Sequence, residues 1–274
     1  MLVIKSDGGT EAFDPHKLTS SLLRAGADAQ TAKDISAEIH SEMYSGITTN
    51  QIYRTAFSHL RNHRRTAAAR YSLKRAILDF GPSGFPFEAY IAEIFRKEGY
   101  TAKIDQIIKG GCVEHEVDVV IEKGGKTTYI EAKFHNTLGF TTDLKTTLYV
   151  KARIEDIEKN PHNPKPMDGL LVTNTRFTSI AVQYATCAGI GLLGWDYPAH
   201  NNLHDKIDAA KVYPITALTT LTKPEKTALL NAKVVLCNDL YTQEAALHKA
   251  GVRASRTEAI FTEAAGLCVP GKGI

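Results

Sequence analysis

The chain has 274 residues, 43% of them hydrophobic and 23% charged, which excludes a wholly disordered polypeptide and exceeds one ordinary domain of roughly 100–150 residues. Its 33 Lys and Arg against 30 Asp and Glu leave a net charge of +3, which neither demands nor excludes a nucleic-acid partner, so the distribution of charge must decide. Four scattered cysteines, Cys112, Cys187, Cys237 and Cys268, form no CxxC pair and argue against a zinc finger. No apolar run approaches the ~20 residues that span a bilayer, and the N-terminal MLVIKSDGGTEAF reads as strand and turn rather than leader. The expectation is a cytoplasmic chain with free thiols and no membrane partner.

Three parts follow in order, at 1–80, 81–198 and 199–274. In the first, Leu2 to Ile4 form a strand, Ser6-Asp7-Gly8-Gly9 a hairpin turn, and Thr10 to Phe13 the returning strand. Asp14-Pro15 caps a helix with Leu18, Leu22 and Leu23 on its apolar stripe. A second helix runs from Asp28 to Met43, a third from Asn50 to His63 behind Thr48 or Thr49, and a fourth from Arg65 to Leu78. From Arg54 to Arg75 there are seven Lys and Arg and no acid. A solvated helix face explains such a run by itself.

The residues Val3-Ile4-Lys5-Ser6-Asp7-Gly8, Glu11-Ala12-Phe13, Lys17-Leu18, Gly46 to Ile52 and Tyr71 to Arg75 together resemble an ATP-cone domain, a regulatory nucleotide-binding module. The resemblance implies ATP or dATP as ligand, with Lys5, Lys17 and Lys74 or Arg75 on phosphates and Glu11 and Thr49 on ribose or base edges. The family usually carries a basic residue where this chain has Ser6, which removes one phosphate contact.

Gly81-Pro82-Ser83-Gly84 opens the second part as a breaker cluster. A helix with Phe87, Ile91, Ile94 and Phe95 on one face runs to Glu98. Strands are expected at 100–107, 117–121 and 129–134, the last two a hairpin around Lys123-Gly124-Gly125-Lys126. Asp118 interrupts an apolar strand, Val-Asp-Val-Val-Ile, where a buried acid costs free energy unless paired or metal-bound. Alternation puts Glu131 and Lys133 on one face, and the hairpin brings Asp118 beside them. Two carboxylates with a lysine suit a Mg²⁺-dependent phosphodiesterase: carboxylate oxygens for the ion, an activated water, and Lys133 to orient it or stabilise phosphorane charge. An ordinary surface ion pair between Glu131 and Lys133 is the plainer alternative. His115, Glu116 and His135 flank the triad. A helix over 143–156 offers Lys145, Tyr149, Lys151 and Arg153 to a DNA backbone.

The spacing Asp-x(12)-Glu-x-Lys, preceded by Glu88 on its helix and followed by Leu170 to Thr178 and Gly189 to Trp195, resembles the PD-(D/E)xK core of Mrr-like restriction endonucleases. The resemblance implies an α-β-β-β-α-β fold, catalytic Asp118, Glu131 and Lys133 with Glu88 as fourth member, Mg²⁺ or Mn²⁺ held by Asp118, Glu131 and Glu88, DNA as substrate, a homodimer to cut both strands, and a role in restriction. The third part reads as mostly helical, at 214–221, 223–230, 232–240, 243–248 and 255–265, and is similar to helix-hairpin-helix pairs around Gly251; Pro270 to Ile274 is expected to fray. The whole predicts an α/β protein, a hairpin-and-helix module before a nuclease core and a helical tail: a nucleotide-regulated DNA endonuclease. A non-cleaving nucleotide-responsive DNA-binding regulator and a ribonucleotide-metabolism assembly partner are the alternatives.

Overall fold

The computed structural model describes residues 1–6 and 8–268; Asp7 of the first turn and the tail after Cys268 lie outside them. The structure is mixed α/β, and its packing divides into two units: Met1–Ile77 with the chain from Tyr213 onward, and Leu78–Val212.

In the first unit, β1 (Leu2–Ile4) and β2 (Thr10–Ala12) pair antiparallel, Leu2 opposite Ala12. Helices α1 (Pro15–Arg24), α2 (Ala29–Ser41) and α3 (Thr49–His63) each begin at a side-chain cap. Asp14 accepts from the amides of His16 and Lys17, Asp28 from Thr31, and Thr48 exchanges bonds with Gln51 in a capping box. Each such cap is worth roughly 1 kcal/mol. The fourth expected helix is in fact two, α4 (Arg65–Tyr71) and α5 (Leu73–Leu78), parted at Ser72, whose hydroxyl donates to the Ala69 carbonyl. Leu22, Ala32, Ile35, Ala56, Leu60, Ala67 and Ala68 fill the core between them.

The second unit contains α6 (Phe85–Lys97), β3 (Thr101–Lys109), β4 (Glu114–Lys123), β5 (Lys126–Lys133), β6 (Thr141–Thr142), α7 (Leu144–Lys159), β7 (Met167–Thr173), β8 (Arg176–Phe177), α8 (Ser179–Ala188), β9 (Gly191–Leu193) and α9 (Leu203–Ala210). The sheet order is β3-β4-β5-β7-β9, antiparallel across β3, β4 and β5, then parallel through β7 and β9. Parallel neighbours need long crossovers, supplied by α7 and α8. Phe87, Tyr90, Ile91 and Ile94 of α6 are buried, each by roughly 1.5–3 kcal/mol for a full-sized apolar side chain. Val120, Tyr129 and Leu171 of the sheet cluster with Val150, Ile154 and Ile157 of α7. Gly169 permits that closeness, since a Cβ there would lie 2.7 Å from Ile154 Cγ1. The segment after β9 packs on α6: Lys206 pairs with Glu98 at 2.7 Å and the Tyr90 hydroxyl donates to Val212 O.

From Tyr213 the chain rejoins the first unit. The helices expected at 214–221 and 232–240 are instead short 3-10 turns at Ile215–Ala217 and Cys237–Tyr241. Pro214 and Leu236 form an antiparallel bridge, and its hydrogen bonds, Ile215 N to Val235 O and Cys237 N to Tyr213 O, take the groups a helix would have used. α10 (Lys223–Asn231), α11 (Ala245–Lys249) and α12 (Ala254–Cys268) complete the unit. Among the described residues no helix is long and apolar enough to cross a membrane, and none of the four cysteines is in a disulfide.

Candidate functional site

The β4–β5 hairpin turns at Gly124-Gly125, both at positive φ, where glycine carries no steric penalty. That turn fixes the register from Lys123 opposite Lys126 to Val119 opposite Ile130, where the ladder stops. One step further, Asp118 faces Glu131. Here Asp118 Oδ2 accepts the Ala132 amide at 2.7 Å, so a carboxylate replaces the next rung and the strands part. On the other side of β4 the pairing with β3 runs from Thr101 to Lys109 and omits one residue, Asp105, the position opposite Asp118. Asp105 has φ +52, a left-handed conformation that costs a non-glycine of order 1 kcal/mol. Asp105, Asp118 and Glu131 thus occupy one row across three strands, and regular pairing fails at that row.

Glu88 joins them from the first turn of α6, its Oε1 only 2.7 Å from where a Cβ on Gly84 would lie. Burial pushes its pKa up to about 7, helped by Asp118, by the charge of Asp105 and a hydrogen bond with it, and by Glu116. Burial likewise raises Asp118 against the opposing pull of the Ala132 amide and Arg153. Glu131 is raised by burial and by Asp118, with Arg153 and Lys133 pulling the other way. Like charges that share a poorly solvated region favour a proton or a cation among them. The donor chemistry, hard carboxylate oxygens with raised proton affinity, fits a divalent ion such as Mg²⁺. As they stand, no three His, Cys, Asp or Glu side chains among the described residues are grouped to hold one. From α7, Arg153 forms an ion pair with Glu131, donates to the Tyr149 hydroxyl, and sits 4.6 Å from the Tyr149 ring centre.

Lys133 ends β5, exposed, opposite Thr173 of β7. His115 is tied to Asp156 at 2.9 Å rather than turned to the acids, and Asp156 also accepts the Cys112 and Val113 amides, closing the β3–β4 turn. His135 is fixed by Asn174 through both main-chain groups and stacks on Phe140 at 5.7 Å; burial, then Lys133, lowers its pKa. Lys151 pairs with Glu155 at 3.4 Å, and Lys145 is exposed. Sequence reasoning missed Asp105 altogether and assigned Arg153 to DNA, without its hold on Glu131. Asp105 follows from register only once the β3–β4 turn is known to span the four residues 110–113, which sets Lys109 opposite Glu114.

The hairpin of the first unit builds a second candidate site. A cavity of about 180 Å³ is lined by Glu11, Phe13, Lys17, Thr49, Tyr53 and Tyr71, among others. Glu11 lies between two lysines, 3.6 Å from Lys5 and 3.9 Å from Lys17. Tyr53 stacks on Tyr71 at 5.3 Å and carries the Arg75 guanidinium 3.6 Å over its ring. Lys5, Lys74 and Arg75 stand outside the lining.

Comparison with known proteins divides the chain in the same order. Residues 1–79 match the ATP cone domain, 82–196 the restriction endonuclease domain, and 213–268 the AF1548-like C-terminal domain. An uncharacterised protein of Archaeoglobus fulgidus is 35% identical over 175 residues, covering 64% of this chain and 97% of its own length. The crystal structure of AF1548, a protein of unknown function, is similar with TM-score 0.55 at 33% identity, over 66% of this chain and 96% of that one. MspJI restriction endonuclease, solved with a 27-mer oligonucleotide, is similar at 14% identity and TM-score 0.32, over 80% of this chain and 43% of that one, too distant a likeness to bear on function.

Proposed function

Because the chain belongs to the AF1548-like family and joins an ATP cone to a restriction endonuclease domain, we propose that it is a divalent-metal-dependent DNA endonuclease whose activity a nucleotide controls. The observation that carries this reading is the row of acids at the parted strands, with Lys133 at the end of the same strand as Glu131. Asp118, Glu131 and Glu88 would hold Mg²⁺ or Mn²⁺. When bound, the ion polarises the phosphate and lowers the pKa of water. Lys133 presents three N–H donors to the phosphate oxygens and to the attacking water. Arg153 keeps Glu131 ionised and oriented. Glu88, its pKa raised by burial, would lie beside Asp105 at the edge of the ion's site. A homodimer would bring two such sites to the two strands of a duplex.

In the cone, Lys5, Lys17 and Lys74 or Arg75 would meet the phosphates of ATP or dATP, while Glu11 and Thr49 take ribose or base edges. The cavity is smaller than the roughly 300–1,000 Å³ of common ligand sites, so part of the nucleotide must lie outside it, toward the lysines. The test is plasmid cleavage by the full chain with Mg²⁺ or Mn²⁺, with and without ATP and dATP, beside Asp118→Ala and Lys133→Ala. Metal-dependent cutting lost in both variants is expected; equal cutting by all three proteins sinks the assignment. The second reading, a non-cleaving nucleotide-responsive DNA-binding regulator, is favoured by Arg153's engagement of Glu131, and DNA binding without cleavage under every metal and nucleotide would select it.

A further inference from the structure

The first unit holds another concavity, apart from the cone's own pocket. Helix α12 lies against α4 so closely that a Cβ on Gly266 would come 2.6 Å from Thr66 Cγ2, and Arg70 donates to the Gly266 carbonyl at 3.2 Å. Beside this contact opens a cavity of about 520 Å³. Arg64 and Arg65 stand at it, both exposed and neither within ion-pair reach of a carboxylate among the described residues. Hydroxyls of Thr66, Thr220 and Ser255 add donors to the lining, that of Thr262 already donating to the Glu258 carbonyl at 2.8 Å, and Thr220 Oγ1 is buried with no hydrogen-bond partner.

Two carboxylates also border the cavity, and their states differ. Glu263 is spent: its oxygens accept from the Thr219 amide and hydroxyl and from the Thr220 amide. Glu258 is exposed to water, where its field is screened. Neither carboxylate is within ion-pair reach of Arg64 or Arg65, so both guanidiniums stay available to an anion. Paired guanidiniums with hydroxyl donors match phosphate oxygens, which accept several charge-assisted bonds at once. The volume falls in the range of small-ligand sites, well above that of a bare phosphate.

We propose that this cavity binds a phosphate-bearing ligand of nucleotide size, through Arg64, Arg65 and the surrounding hydroxyls. The phosphate belongs either to a free nucleotide or to one unit of a nucleic-acid strand. The site shares no lining residue with the cone pocket, yet α4 serves both, with Arg65 and Thr66 at its start and Tyr71 at its end.

The test is isothermal titration of the full-length chain with ATP and, separately, with hexathymidylate. Lys17→Ala, Arg64→Ser/Arg65→Ser and Ser255→Trp are compared with the parent, each checked for folding by circular dichroism. For at least one probe a binding event should survive Lys17→Ala and weaken about tenfold or more in the double arginine variant. Ser255→Trp, which fills the cavity and keeps both arginines, should weaken it likewise. Loss for ATP alone identifies a free nucleotide; loss for hexathymidylate identifies a strand. Binding of both probes unchanged by the arginine substitutions overturns the proposal, and so does full binding by a folded Ser255→Trp protein. An event that vanishes with Lys17→Ala alone does the same, since it assigns all binding to the cone.

Discussion

The cone pocket and the acidic row solve opposite electrostatic problems. In the cone, one half-exposed carboxylate, Glu11, lies between Lys5 and Lys17, so cations outnumber the acid and water screens all three. In the nuclease unit, Glu88, Asp105, Glu116, Asp118 and Glu131 crowd one region with Arg153 and Lys133 as counter-charges, and burial raises the pKa of Glu88, Asp118 and Glu131. On the proposed reading, the first arrangement would attract an anion by exchanging partners. The second would attract a cation by relieving repulsion, which would make it far more sensitive to pH and to loss of a single side chain.

That contrast yields ordered tests. The largest effect is expected from Asp118→Ala, which should reduce cleavage on the order of a thousandfold while a gel-shift assay still finds DNA bound. Lys133→Ala should cost roughly a hundredfold in single-turnover rate, again without loss of DNA affinity. In the cone, Lys17→Ala should weaken ATP about tenfold by calorimetry, since one cation of several is removed. Arg153→Ala leaves Glu131 uncompensated and should lower unfolding free energy by about 2 kcal/mol in urea titrations. The smallest effect is on the pH profile. Glu88 titrates at about 7 in the fold against 4.5 when free. A raised pKa means that the proton favours the fold, so this contribution is complete below about pH 4.5 and is lost as pH rises through about 7. Glu88→Gln should flatten that part of the melting profile, and Mg²⁺ should stabilise the parent more at about pH 8 than at about pH 5.5. A metal effect independent of pH would erase the distinction between the two regions.

Which parts were legible in the sequence follows from how local their causes are. Asp14, Asp28 and Thr48 start helices through bonds to amides two or three residues on, so caps and turns could be read directly. The hairpin at Gly124-Gly125 sets Asp118 opposite Glu131 by counting alone. The hold of Arg153 on Glu131 was not readable, because it depends on where α7 crosses the sheet, a matter of Gly169 and Ile154 packing. The two helices expected at 214–221 and 232–240 failed for a related reason: propensity favoured them, but pairing of Pro214 with Leu236, distant in sequence, took their backbone bonds. The parting of strands at Asp118 was hidden too, since it arises when a side-chain carboxylate wins an amide from a neighbouring carbonyl.

The packing of α12 on α4 carries a consequence for synthesis. Arg70 and Gly266 are 196 positions apart, and everything from Leu78 to Val212 lies between the two segments that form the first unit. As the chain leaves the ribosome, the second unit can close as soon as Val212 has emerged. The first unit must wait a few seconds longer, at ordinary elongation rates, for α12. During that interval Thr66 lacks the neighbour that Gly266 gives it, so a message cut short before α12 would yield a closed second unit and an open first one.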